Sequence, residues 1–145
     1  MLAKKLLSIW FWIWFGIVVG VSFMATPVKF QATQLDLPVA LEVGKVTFQL
    51  LAKSERILAL GLVAALIFKP KPIVIALVAL MAAVLLVQQF WLMPALYERV
   101  DMVIAGQDLP KSSIHFIYIF VEVFKLIILA GLGLTVSCER CNKTS

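Results

Sequence analysis

Residues 6–28 read LLSIWFWIWFGIVVGVSFMATPV, a run without a single charge, preceded by Lys4 and Lys5. About 20 apolar residues in a helix cross a ~30 Å hydrocarbon core, so the run is long enough to span a bilayer. It is too long for the apolar region of a secretory signal, and no small-x-small cleavage pattern closes it. It reads as a retained first membrane span. Thr26, Pro27 and Lys29 mark its exit.

The rest of the chain carries the same signal. Of 145 residues, 63% are hydrophobic and 14% charged, with mean hydropathy +1.04. A soluble domain runs nearer 45–50% apolar and about 25% charged. A chain this short would leave much of that apolar surface facing water. The excess calls for lipid as solvent, and the length allows one domain, 1–145. Net charge of +5 does not indicate nucleic acid, because the cations flank apolar runs as membrane topology requires.

Three further spans follow. Pro38 suits the first turn of a helix, and the next break is Lys69-Pro70-Lys71-Pro72. Residues 39–68 therefore read as one helix, roughly 45 Å long. Its second half is apolar, whereas Glu42, Lys45, Gln49, Lys53 and Arg56 place a polar stripe on its first half. Residues 73–97 form an uncharged third span bearing Gln88 and Gln89, with Pro94 expected to kink or end it. After a polar loop from Glu98 to Lys111, residues 112–138 form the fourth. The fold class is thus all-α, a bundle of four transmembrane helices whose second member is extended by an amphipathic half. Lys4, Lys5, Lys69, Lys71, Arg140 and Lys143 cluster at span ends on one side. By Lys/Arg count alone the two sides tie, and the clean clusters next to the span ends favour both termini in the cytoplasm of a bacterial inner membrane.

The fourth span holds the residues least explained by lipid. His115, Tyr118, Glu122, Lys125, Leu129 and Gly133 share one helical face. Glu122 lies roughly 24 Å and Lys125 roughly 20 Å from the Cys138 end. An ionised side chain at such depth costs at least ~2.5–3.5 kcal/mol, so it faces the bundle interior and pairs. Arg56 and Lys53 reach similar depth, roughly 18 and 22 Å from Phe68. The polar stripe of the second helix is therefore expected to pack on that of the fourth. Glu122 would then contact Arg56 or Lys53, and Lys125 would contact Glu122 or Glu55. One reading of this network is structural, a neutralised pair fixing register; a second is a proton or ion site; a third is a snorkelling pair with no role.

Other features are weaker. Trp10, Phe11, Trp12, Trp14 and Phe15 read as an interfacial aromatic belt. Gly16 and Gly20, and the pair Gly61 and Ala65, permit close helix approach. Cys138 and Cys141 form a lone CxxC, and two thiolates do not complete a tetrahedral metal site. His115 is the single histidine. Haem or copper ligation would need a methionine such as Met93 beside it, and a hydrogen-bonded histidine near a helix start is the simpler reading. No nucleophile–base set or phosphate-cradling loop appears.

The stretch Trp14-Phe15-Gly16 … Gly20 … Ser22-Phe23 … Pro27 … Phe30, then Ala40 … Val43-Gly44-Lys45 … Phe48, resembles the opening of the transmembrane protein 205-like family. The ending His115 … Tyr118 … Glu122 … Lys125 resembles that family's last helix. The resemblance covers most of the chain and implies a small four-helix membrane protein with a domain of unknown function. That family in turn is similar to copper-resistance protein D-like domains and to haem-binding membrane protoporphyrinogen oxidases. This chain departs from both, having no histidine in its first three spans, so the resemblance carries over no cofactor residues.

The sequence thus points to a multi-pass membrane protein of an uncharacterised family that is not an enzyme: an accessory, scaffolding or binding subunit with no cofactor. Membrane lipid, a second copy or a larger membrane complex are its expected partners. The alternatives are a small proton- or ion-coupled transporter using Glu122 with Arg56 and Lys53, and a haem- or metal-dependent redox protein centred on His115.

Overall fold

The computed structural model describes residues 2–29, 31, 35–67, 70–107 and 113–138, and every regular element among them is a helix. Helix α1 runs Leu2–Lys29, α2 Leu37–Leu58, α3 Leu60–Ile67, α4 Pro72–Ile104 and α5 Ile114–Cys138. Three of these, α1, α4 and α5, are long and apolar enough to cross a membrane. The stretch read as one helix over 39–68 begins earlier, at Leu37, and is interrupted at Ala59. Phe68 and the residues 108–112 and 139–145 lie outside the described residues. Cys141, Arg140, Lys143 and the end of the expected loop before α5, residues 108–111, go with them, whereas the start of that loop, residues 98–104, is helical.

Proline shapes α1 and α4 in the same way. Each contains a π-helical turn, Val19–Ala25 in α1 and Gln88–Leu92 in α4. Each turn ends two residues before a proline, Pro27 or Pro94. A proline ring crowds the carbonyl four residues back and has no N–H to offer it. Widening the preceding turn to i→i+5 bonding relieves the crowding. Accordingly the N–H of Thr26 bonds to the Val21 carbonyl, and that of Met93 to the Gln88 carbonyl. Pro94 therefore does not end the third helix near Tyr97, which continues to Ile104. It stops at Gly106, where φ is +80°, the left-handed geometry that glycine takes at a helix end.

Helices α1 and α5 run antiparallel in straight register. Ser8 and Ser137 share a 2.6 Å hydrogen bond near one end, and Ser22 donates to Glu122 at 2.9 Å further along. The ends of the first and last helices thus lie together. Phe11, Trp14 and Val18 of α1 meet Leu58, Leu62, Met81, Leu129 and Leu132 in the core. Outward faces remain apolar: Ile67 is 71%, Phe120 73% and Phe90 76% exposed. Apolar surface on that scale marks contact with lipid or another protein.

The aromatic crowding in α1 is not one outward belt. Phe11 and Trp14 are fully buried, and Trp10 reaches across to donate to the Leu58 carbonyl at 2.9 Å. Close approach is not made at Gly16 or Gly20, where a side chain would meet nothing. Instead the Trp10 indole lies against Gly61, and the Trp12 indole against Gly133. Large rings fill the space that the glycines leave.

Candidate functional site

Lys125 is the centre of a buried polar cluster. Its Nζ lies 2.6 Å from Glu55 Oε1 and 2.7 Å from Glu122 Oε1, and donates to Gln88 Oε1 at 3.0 Å. An ammonium has three protons, and three acceptors take them. Gln88 Nε2 donates to Glu122 Oε1 at 2.8 Å, Ser22 to Glu122 Oε2, and Trp14 Nε1 to Glu55 Oε1 at 3.1 Å. Glu122 and Lys125 are fully enclosed, and Glu55 and Gln88 nearly so. Contributions come from α1, α2, α4 and α5. The cluster ties the whole bundle together at one level.

Local structure explains how these side chains arrive there. In α2 the buried positions are Ala40, Gly44, Phe48, Leu51, Glu55 and Leu58, spaced as one helical face. Glu55 is carried inward by that face. In α1 and α4 the π turns contain Ser22 and Gln88, and the wider turn presents both to Glu122. Such turns recur at functional sites.

Of the expected network, Tyr118, Glu122, Lys125 and Glu55 come together. Lys125 contacts both acids. Tyr118 is buried edge-on to Phe48, its hydroxyl beside Ser22 and Glu122 but outside hydrogen-bonding geometry. Lys53 and Arg56 are not part of the cluster, and the expected contact of Glu122 with either is corrected. Both are exposed, as are Glu42 and Gln49 of the same stripe. Residues 53 and 56 stand about 200° and 100° around the helix from Glu55, so burying Glu55 turns both away. The polar stripe of α2 therefore does not pack on α5. His115 is also exposed, one turn beyond the cluster, with its ring near Phe116.

Ser22, Trp14 and Gln88 complete the cluster without having been singled out for it. Their signals in the sequence are slight: Pro27 and Pro94 follow Ser22 and Gln88 at five and six residues. Trp14 had none beyond its place among other aromatics.

A groove of about 640 Å³ opens beside the cluster, between α2–α3 and α4. It exists because α2 packs against the Met93–Ile104 part of α4 and α3 against its Pro72–Val87 part, with the walls held apart between. Leu62, Val78 and Leu85 line it together with Glu55, Arg56, Gln88 and Gln89, and Ala52 and Met93 continue the lining past these polar residues. Among the described residues no group of three or more His, Cys, Asp or Glu is placed to hold a metal ion. Chemically the arrangement offers acceptors, donors and an apolar trough, the ingredients of binding. Comparison with known proteins adds nothing: no family model, curated protein or solved structure matches the chain.

Proposed function

We propose that this is a four-span integral membrane protein that acts as a small binding or accessory subunit, not as a catalyst. The fourth crossing is α2 with α3, together about 46 Å long at 1.5 Å per residue. The groove carries the binding reading. Its volume lies in the range of ligand sites, and its mostly apolar wall includes a few polar groups, Glu55, Arg56, Gln88 and Gln89. The resemblance to the transmembrane protein 205-like family agrees with a compact four-helix protein. The cationic flanks Lys4, Lys5 and Lys71 favour both termini in the cytoplasm of an inner membrane.

Single-cysteine labelling tests this reading in intact cells and inside-out vesicles, with Cys138 and Cys141 replaced by serine. Cysteines at Leu2 and Gly106 should label from opposite sides with a charged maleimide, and one at Leu66 from neither. Labelling of Leu66 from water would overturn the membrane placement.

A second reading, a proton-coupled protein, is favoured by one observation. Two buried carboxylates, Glu55 and Glu122, face one ammonium, Lys125. Unbalanced charge in an apolar interior is costly, and a proton on either acid removes the imbalance. Infrared difference spectra would test it. The protonated-carboxyl band should be present in the parent and absent from both Glu55→Gln and Glu122→Gln.

A further inference from the structure

We propose that the exposed polar stripe of α2 is the docking face for a membrane-spanning helix of a second protein, one that carries a carboxylate near the middle of the bilayer. This docking rests on α2 with α3 being the fourth crossing read above, and it names the partner such an accessory subunit takes.

Depth is the first ground. Lys45 pairs with Asp101 near the end of α4, which places Lys45 near one edge of the membrane. Arg56 lies eleven residues further along, about 16 Å of helix, and Ile67 closes α3 eleven residues beyond it. Arg56 thus stands midway across, and Lys53 one turn short of it. Long cationic side chains near helix ends reach the interface by snorkelling. From the middle of the helix neither edge is within a side chain's length.

Neither cation is neutralised within the chain. Both are exposed. Arg56 makes one long bond, from Nε to the Ala52 carbonyl of its own helix at 3.4 Å. Lys53 pairs with no described residue. An arginine does not lose its proton in a protein, so the charge of Arg56 persists at any depth. Charged groups at mid-membrane pair, or face a protein interior, rather than lipid. Glu42, Gln49, Lys53 and Arg56 fall within about 60° of one another around α2. The stripe they form is open on the outside of the bundle. With one wall it is not a conduit, and it needs a second surface.

Charge complementarity names that surface. A helix laid along the stripe meets two cations at mid-membrane, and a carboxylate there satisfies them. A second copy of this chain has none to offer. Its acids at that depth, Glu55 and Glu122, are enclosed around Lys125. The other described acids, Asp36, Glu42, Glu98 and Asp101, stand toward the Lys45–Asp101 end. Two copies face to face across the stripe would also set Arg56 against Arg56 at one level.

Energy transfer in phosphatidylcholine vesicles tests this on the full chain. Cys141→Ser leaves Cys138 as the single cysteine, an exposed site for the acceptor dye. The probe is a donor-labelled polyleucine peptide of about 20 residues with one central glutamate. It should reach half-maximal transfer at a peptide-to-lipid ratio roughly tenfold below that of the same peptide with central leucine, the factor one polar contact between membrane helices supplies. Lys53→Gln/Arg56→Gln should abolish that advantage. Lys53→Gln/Arg56→Glu should hand it to a peptide with central lysine, which a merely misfolded variant would not do. Retention of the glutamate advantage in Lys53→Gln/Arg56→Gln would overturn the proposal, because the acid would then be received elsewhere. Equal ratios for the glutamate and leucine peptides would overturn it too, and leave the stripe without a partner helix. Transfer between donor- and acceptor-labelled copies, lost in Lys53→Gln/Arg56→Gln, would overturn it in favour of a dimer. Each of these failures leaves the membrane placement standing, which fails separately if Leu66→Cys labels from water.

Discussion

Lys125 Nζ stands 2.6 Å from Glu55 Oε1 and 2.7 Å from Glu122 Oε1, one ammonium between two carboxylates on two helices. Removing it leaves both acids enclosed without a cation. Breaking a buried ion pair from one side costs ~3–5 kcal/mol, because the remaining charge stays buried. Lys125→Met should therefore lower the unfolding midpoint in mild detergent more than any other single change in the cluster. An unchanged midpoint would mean that the ammonium contributes nothing to assembly.

Removing an acid should behave differently. Glu55→Gln keeps the side chain's shape and the Trp14 donor's acceptor, and leaves one carboxylate to one ammonium. Its stability should fall within about 1 kcal/mol of the parent. Glu122 accepts from Lys125, Gln88 and Ser22 together, so Glu122→Gln places an amide N–H₂ against other donors and should lose more. Chemical unfolding of the two variants side by side measures the order. The reverse order would show that Glu55, not Glu122, anchors the network.

How much of this was legible in the sequence follows from the kind of force involved. Long apolar runs such as 6–28 and 112–138 admit one solvent, so three membrane-length helices were readable, whereas the break at Ala59 and the run of the third expected span on to Ile104 were not. The pairing of Glu122 with Lys125 was readable too, because residues three apart share a face. What α2 turns inward was not. The stripe of Lys53 and Arg56 looked like the partner of α5, yet packing follows Gly44, Phe48 and Leu51, and these bring Glu55 with them. One residue of helix phase, about 100°, separates the two answers. Ser22 and Gln88 were hidden for another reason: their orientation depends on π turns set up by prolines further along each chain segment. A regular 3.6-residue period does not describe those turns.

The register of α1 on α5 has a direct test. Ser8 Oγ and Ser137 Oγ are 2.6 Å apart, close enough for a disulfide once both are cysteine. In a background with Cys138→Ser and Cys141→Ser, the Ser8→Cys/Ser137→Cys pair should oxidise within one chain. Reduction should reverse the gel shift. A Ser8→Cys/Thr135→Cys pair in the same background should close less readily, since Thr135 bonds its own helix at the Gly131 carbonyl. Failure of the first pair to close would remove the straight antiparallel register, and with it the level at which Ser22 meets Glu122.

Two glycines should respond in opposite ways. At Gly61 an added Cβ collides with the Trp10 indole, which is held by its bond to the Leu58 carbonyl. Gly61→Ala should push the ring outward, break that bond and cost ~1–3 kcal/mol, the usual range for overpacking. At Gly16 an added Cβ meets nothing, and alanine is the better helix former by about 0.5–1 kcal/mol. Gly16→Ala should therefore be neutral or stabilising. Thermal unfolding of both variants, with the tryptophan emission recorded, separates the two effects. Trp10 is half-buried, so its displacement should shift emission in Gly61→Ala and leave Gly16→Ala unchanged. A stabilised Gly61→Ala would show that the α1–α3 contact yields without loss, and that Trp10 does not fix the angle at which α3 meets α1.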